Sequence, residues 1–109
     1  GPGSPSVLSN MILSIEQHVD WIAACLQYLD DHDLRSIEAS EAAEDAWVEH
    51  VHQVGEFTLY PLANSWYMGA NVKGKARVFM PYIGGLPAYR ERCDDVAAHG
   101  YEGFEVETC

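Results

Sequence analysis

Five aliphatic residues, Ile15, Val19, Ile22, Leu26 and Leu29, recur at three- and four-residue intervals. That spacing keeps them on one side of a 3.6-residue helix and predicts an amphipathic helix ending near Asp31. A stripe of this kind needs another layer to cover it. Ser9 or Asn10 is suited to cap the helix, and Ser14 with Gln17 forms an alternative capping box. The preceding GPGSPSVLSNM is Gly-, Pro- and Ser-rich, which is loop chemistry.

The rest of the chain alternates between order and loop. Residues 32–39 read as a connector, briefly extended over 34–37. Ser40 caps a second helix whose first turns carry Glu41, Glu44 and Asp45, a placement that suits the helix dipole. Ala43, Trp47, Val51 and Val54 are its expected buried stripe; Gly55 ends it or residues 57–60 prolong it. Residues 61–76 lose all regularity, and a loop of that length in a small domain is often functional. RVFMPY (77–82) reads as a strand with Pro81 marking an edge or bulge. Leu86, Tyr89, Cys93, Val96 and Ala97 predict a third helix closed by Gly100, and YEGFEV (101–106) a final short strand.

Charge excludes some functions. Six Lys and Arg against seventeen Asp and Glu give −11, a surface that repels phosphate backbones and anionic lipid. No apolar run is long enough to span a bilayer. Three cysteines without paired spacing favour neither a disulfide framework nor a zinc site and point to a cytoplasmic setting. Cys25 and Cys93 read as core fillers on helical faces. His50 and His52 would point about 200° apart on a helix and cannot share an ion, so no metal site is expected. A Cys–His couple has no particular spacing to recommend it. The run 69–76 nearly spells a phosphate-binding loop, but Ala76 stands where the motif needs Ser or Thr, and a strand follows where a helix should open. Gly1-Pro2-Gly3 lacks the third glycine of a dinucleotide fingerprint, since Ser6 is there.

Trp66 sits among Gly and Asn residues beside Tyr67 and Met68. Either its ring pins the loop to the core, or it offers one apolar face and one N–H to a ligand.

Three segments in order carry a family resemblance: GPGSPSVLSNM leading into SIEQHVDWI, then EDAWVEHV with TLYPLANSWYMGANVKGK, then RVFMPYIGGLPAYRERCDDVAAHGYEGF. Together they cover essentially the whole chain, which resembles the C-terminal region of Baeyer–Villiger flavin monooxygenases of the cyclohexanone and phenylacetone monooxygenase type. The match includes residues 1–4, which are then native, or a tag remnant that coincides with the family sequence.

The resemblance implies an α+β fragment of three helices, a small two-stranded element and a long loop, normally packed on the FAD-binding α/β domain. It implies a flavin-proximal loop (1–11), a helical segment (12–60), a mobile NADP-side loop (61–76) and a strand–helix–strand tail (77–109). Ser6, Val7 and Leu8 would line the substrate pocket, Asn10 and Met11 would lie beside the flavin, and Trp66 would meet the nicotinamide ribose. Ser65, Gly69, Asn71 and Lys75 share the loop motif, whereas Lys73 replaces a common proline. The family uses FAD and NADPH to insert oxygen beside a ketone carbonyl, giving an ester or lactone. Its nucleotide fingerprints match nothing here, and Arg35, Arg77, Arg90 and Arg92 match no position for its flavin-side arginine. The expectation is therefore a chain without catalytic residues or bound cofactor of its own, inactive alone, whose partner is the remainder of a monooxygenase. It would self-associate through exposed apolar faces. The alternative is a non-catalytic acidic interaction module or truncated gene product that docks through Trp21, Trp47 and the first helix.

Overall fold

A computed structural model describes residues 1–6 and 9–108. Three helices run in chain order: α1 (Met11–Asp31), α2 (Glu41–Glu56) and α3 (Leu86–Ala98). Two strands, β1 (Leu34–Ala39) and β2 (Phe104–Thr108), form one antiparallel ribbon. Short 3-10 turns occupy Tyr60–Leu62 and Trp66–Met68.

The helix ends follow the caps. Asn10 Oδ1 accepts from the Ile12 N–H at 3.0 Å, so Asn10 is the cap of α1, while Ser14 and Gln17 are buried within it. Ser40 Oγ accepts from the Ala43 N–H at 3.3 Å and starts α2. That helix stops at Glu56, with Phe57 as its cap. Past α3, Gly100 takes a left-handed φ of 69° and turns the chain toward β2.

The ribbon corrects the expected strands. Residues 77–82 are not a strand, and the 34–39 connector is. A strand exists by its ladder, and among the described residues it is β1 that pairs along β2, with Ile37 opposite Val106 and Ala39 opposite Phe104. The final strand also starts later than expected, at Phe104. Residues 77–80 instead run across α2, where Phe79 fills the space over Gly55: a Cβ there would stand 2.7 Å from the Phe79 ring. Of the expected strand only Tyr82 bridges, and it bridges Pro5.

The core is aromatic more than aliphatic. Trp47 lies 5.2 Å from Tyr82 and 5.8 Å from Tyr89 between ring centroids, and His18 meets Tyr89 edge-on at 5.5 Å. A second group joins Trp21, Tyr28, Tyr101 and Phe104. Trp21 and Trp47 therefore face inward and are not the docking surfaces that the interaction-module alternative required.

The inward face of α1 carries Ser14, Gln17 and Cys25. The aliphatic stripe points elsewhere. Ile15, Val19, Ile22 and Leu26 are each more than half exposed, Ile12 extends the row, and Leu29 alone is half-buried. At about 100° per residue these five exposed residues fall within about 80° of arc, well away from the inward face. The chain exposes 7611 Å², against about 6,000 Å² for a self-contained monomer of its size. Among the described residues no helix is long and apolar enough to cross a membrane.

Candidate functional site

Two surface elements carry the candidate residues. The first is the turn that leads to α1. Ser4 closes it, donating from N–H (3.2 Å) and Oγ (2.7 Å) to the Gly1 carbonyl. Two distant groups then grip it: the Trp47 indole N–H donates to the Gly3 carbonyl at 3.1 Å, and the Tyr82 N–H to the Ser4 carbonyl at 3.2 Å. Pro5 is fully buried beneath them. Ser6 emerges half-buried. Val7 and Leu8, the other expected pocket residues, lie outside the described residues.

Asn10 and Met11 stand at the N-terminus of α1, as expected. The first turn of α1 holds no acidic residue, unlike α2 with Glu41 and Glu44. Asn10 Oδ1 takes up the Ile12 N–H, but no acidic side chain offsets the partial positive charge, which leaves an end suited to an electron-rich ring or an anion.

The second element is the 61–76 loop. Ser65 Oγ accepts from the Tyr67 N–H at 3.3 Å and opens the Trp66–Met68 turn. Gly69, left-handed at φ 73°, closes it by donating to the Trp66 carbonyl at 2.9 Å. The loop is anchored by Met68, which is buried, and by a chain of rings: Tyr67 edge-on to Tyr60, and Tyr60 stacked on Phe79 at 4.9 Å. Trp66 is not the anchor. It is 62% exposed and rests one face on Tyr67 at 3.9 Å. A ring so exposed adds little to the packing of this loop.

Ordinary catalytic chemistry finds little support. Burial pushes the Cys25 and Cys93 thiols up, away from the nucleophilic thiolate. Burial, then Arg92, holds His50 below its usual range; burial, then the α-amino group of Gly1, does the same for His18. No cluster of metal-ligating side chains occurs among the described residues. An open groove of about 420 Å³ runs along Ile15 and Val19 toward Leu86 and Arg90, and none of the candidate residues lines it.

The grip of Trp47 and Tyr82 on the first turn went unread in the sequence. Trp47 looked like one more member of the α2 stripe, and nothing in local spacing shows a bond 44 residues back to Gly3. The buried anchors Met68 and Phe79 were missed for the same reason.

No family profile matches the chain. A cyclohexanone 1,2-monooxygenase from Acinetobacter sp. is 39% identical over 107 residues, covering 98% of this chain and 19% of the relative. A Baeyer–Villiger monooxygenase from Pseudooceanicola batsensis is 37% identical over 101 residues, 93% of this chain and 18% of the relative. Among solved structures, an oxidised steroid monooxygenase bound to NADP superposes with a TM-score of 0.89 at 48% identity, covering 100% of this chain and 20% of that one. The chain spans about a fifth of the length of the relatives it matches. By sequence and by fold it belongs to the Baeyer–Villiger monooxygenase family, of which it represents a segment.

Proposed function

We propose that the chain works as part of a longer FAD- and NADPH-dependent monooxygenase that inserts oxygen next to a ketone carbonyl, giving an ester or lactone. In this reading the turn at 3–8 lines the substrate pocket through Ser6, Val7 and Leu8. Asn10 and Met11 at the α1 N-terminus stand against the flavin, and Trp66 meets the nicotinamide ribose. FAD supplies the oxygen-activating redox chemistry when bound, with electrons from NADPH. This chain's residues bind, orient and exclude water. The fit is physical: a helix N-terminus with no acidic residue in its first turn suits the electron-rich edge of a reduced flavin, and an exposed indole on an anchored loop suits a flat nucleotide.

The observation that carries the reading is Trp66, held outward by a loop whose anchoring is done by Met68, Tyr60 and Phe79. The partner is the remainder of the monooxygenase chain, seated on the exposed stripe of α1, where full burial of each such side chain contributes roughly 1.5–3 kcal/mol. The test is a graft in which this chain replaces the matching fifth of the Acinetobacter relative. The graft should retain FAD and consume NADPH in proportion to added cyclic ketone, forming lactone. A folded, FAD-containing graft without ketone-dependent turnover would refute the reading. The isolated chain should carry no flavin and oxidise no NADPH.

A further inference from the structure

We propose that Trp47 and Tyr82 are positioning residues that hold the 3–6 turn from two sides and so set where Ser6 stands in the pocket. The proposal deepens the functional reading and rests on Ser6 lining the substrate site. Among the described residues, the hydrogen bonds that the turn makes to itself are those of Ser4 to Gly1. Its register is otherwise imposed from outside, by donors to two consecutive carbonyls: the Trp47 indole on Gly3 and the Tyr82 amide on Ser4. Sliding is blocked as well. Pro5 is fully buried, and a Cβ on Gly3 would lie 3.0 Å from Trp47 Nε1.

The indole is itself fixed. Tyr82 and Tyr89 pack beside it, and the Arg92 guanidinium lies 5.4 Å over its ring, a cation–π contact from α3. Tyr82 belongs to the same stretch as Phe79, which anchors the 61–76 loop. One continuous stretch, 79–82, thus ties the Trp66 loop to the substrate-side turn. Ketone affinity should then depend on an α2 residue that acts through the turn it holds.

The graft enzyme tests this. Trp47→Phe keeps most of the ring and deletes the donor. It should raise the KM for the ketone about 10-fold, the scale of one lost hydrogen bond at the upper end of its net worth, with kcat, flavin content and NADP affinity unchanged. The Tyr82 amide should exchange with deuterium about 10-fold faster on the same scale. The Tyr101 amide, which donates to the Val96 carbonyl at 2.9 Å, should keep its rate. Gly3→Ala, which pushes on the same contact from the turn side, should give the same pattern and decides the matter if Trp47→Phe does not fold. An unchanged ketone KM overturns the proposal, and so does equal loss of protection at Tyr82 and Tyr101, which would mark a general structural role. If the parent graft has no ketone activity, the functional reading has failed, while Tyr82 exchange still decides whether Trp47 holds the turn.

Discussion

The Trp21 indole N–H donates to the Cys93 carbonyl at 2.8 Å, stitching α1 to α3 across 72 residues of sequence. The same ring meets Tyr101 edge-on at 5.3 Å, so one side chain joins both helices to the turn that feeds β2. Trp21→Phe removes the donor and leaves the carbonyl part-buried without it. A loss of about 1–2 kcal/mol is expected. Denaturant unfolding checks it: the midpoint should fall with an unchanged slope, and an unshifted midpoint would show that water replaces the bond without cost.

Gly55→Ala sets two effects against each other. Ala gains at most about 1 kcal/mol over Gly in a helix, and less in the last turn, where Gly55 stands, but its Cβ would sit 2.7 Å from the Phe79 ring, and overpacking costs about 1–3 kcal/mol. The net expectation is a destabilised chain with a loosened 61–76 loop. Shrinking the ring in Gly55→Ala with Phe79→Leu should recover part of the lost melting temperature. A double variant no better than the single one would place the strain elsewhere.

The helices were legible because they are written locally. Asn10 and Ser40 cap, Gly100 closes, and aliphatic spacing fixes the period. The ribbon was harder. RVFMPY has better strand composition than LRSIEA, yet the latter pairs, because pairing depends on what α1 and α3 bring alongside β2 and not on propensity. The stripe of α1 was seen in the sequence, but the face packed inside this chain is the one with Ser14, Gln17, Trp21 and Cys25, where the polar Ser14 and Gln17 disguised it. At the site, Trp66 stood out because its loop gave no packing reason for an indole. The clamp on Gly3 and Ser4 uses backbone carbonyls, which leave no trace in composition.

Acid should weaken the Trp47–Tyr82 cluster. His50 stacks on Tyr82 at 5.8 Å, and burial followed by Arg92 lowers its pKa from the ordinary 6.5. A histidine lowered on folding binds its proton more readily in the unfolded chain, so stability is full above 6.5 and declines as pH falls from there toward the lowered folded value. His18 acts in the same direction. His99, raised by the Asp95 carbonyl and carboxylate, acts oppositely but is fully exposed. The melting temperature should therefore be flat at neutral pH and drop below it, with a shallower drop in His50→Gln. Identical profiles for the two proteins would remove His50 from the account.

The bare aliphatic row on α1 makes a statement about the chain on its own. Ile12, Ile15, Val19, Ile22 and Leu26 form one contiguous strip, and strips of that kind associate in water. Purified alone, the chain should sediment as dimers or larger species at micromolar concentration. Val19→Glu with Leu26→Glu should return it to monomer without loss of helical circular dichroism. A wild-type chain that is monomeric throughout would mean that the strip is covered by a rearrangement within the chain.

Trp66→Ala separates ligand contact from packing most directly. The ring is 62% exposed, and its close aromatic neighbour is Tyr67, itself attached to Tyr60. Removing it deletes little buried surface, so the melting temperature of the isolated chain should shift by no more than an ordinary surface substitution, within about 0.5 kcal/mol. In the graft the same change should act on the nucleotide. NADP affinity should fall, and more of the NADPH consumed should end as hydrogen peroxide, because a loop that loses its grip on the ribose excludes water less well. Trp66→Phe, which keeps a flat face but no N–H, should fall between the two and so apportion the effect between stacking and hydrogen bonding. A graft in which Trp66→Ala leaves coupling intact while lowering stability would reverse the assignment and make the indole a packing residue.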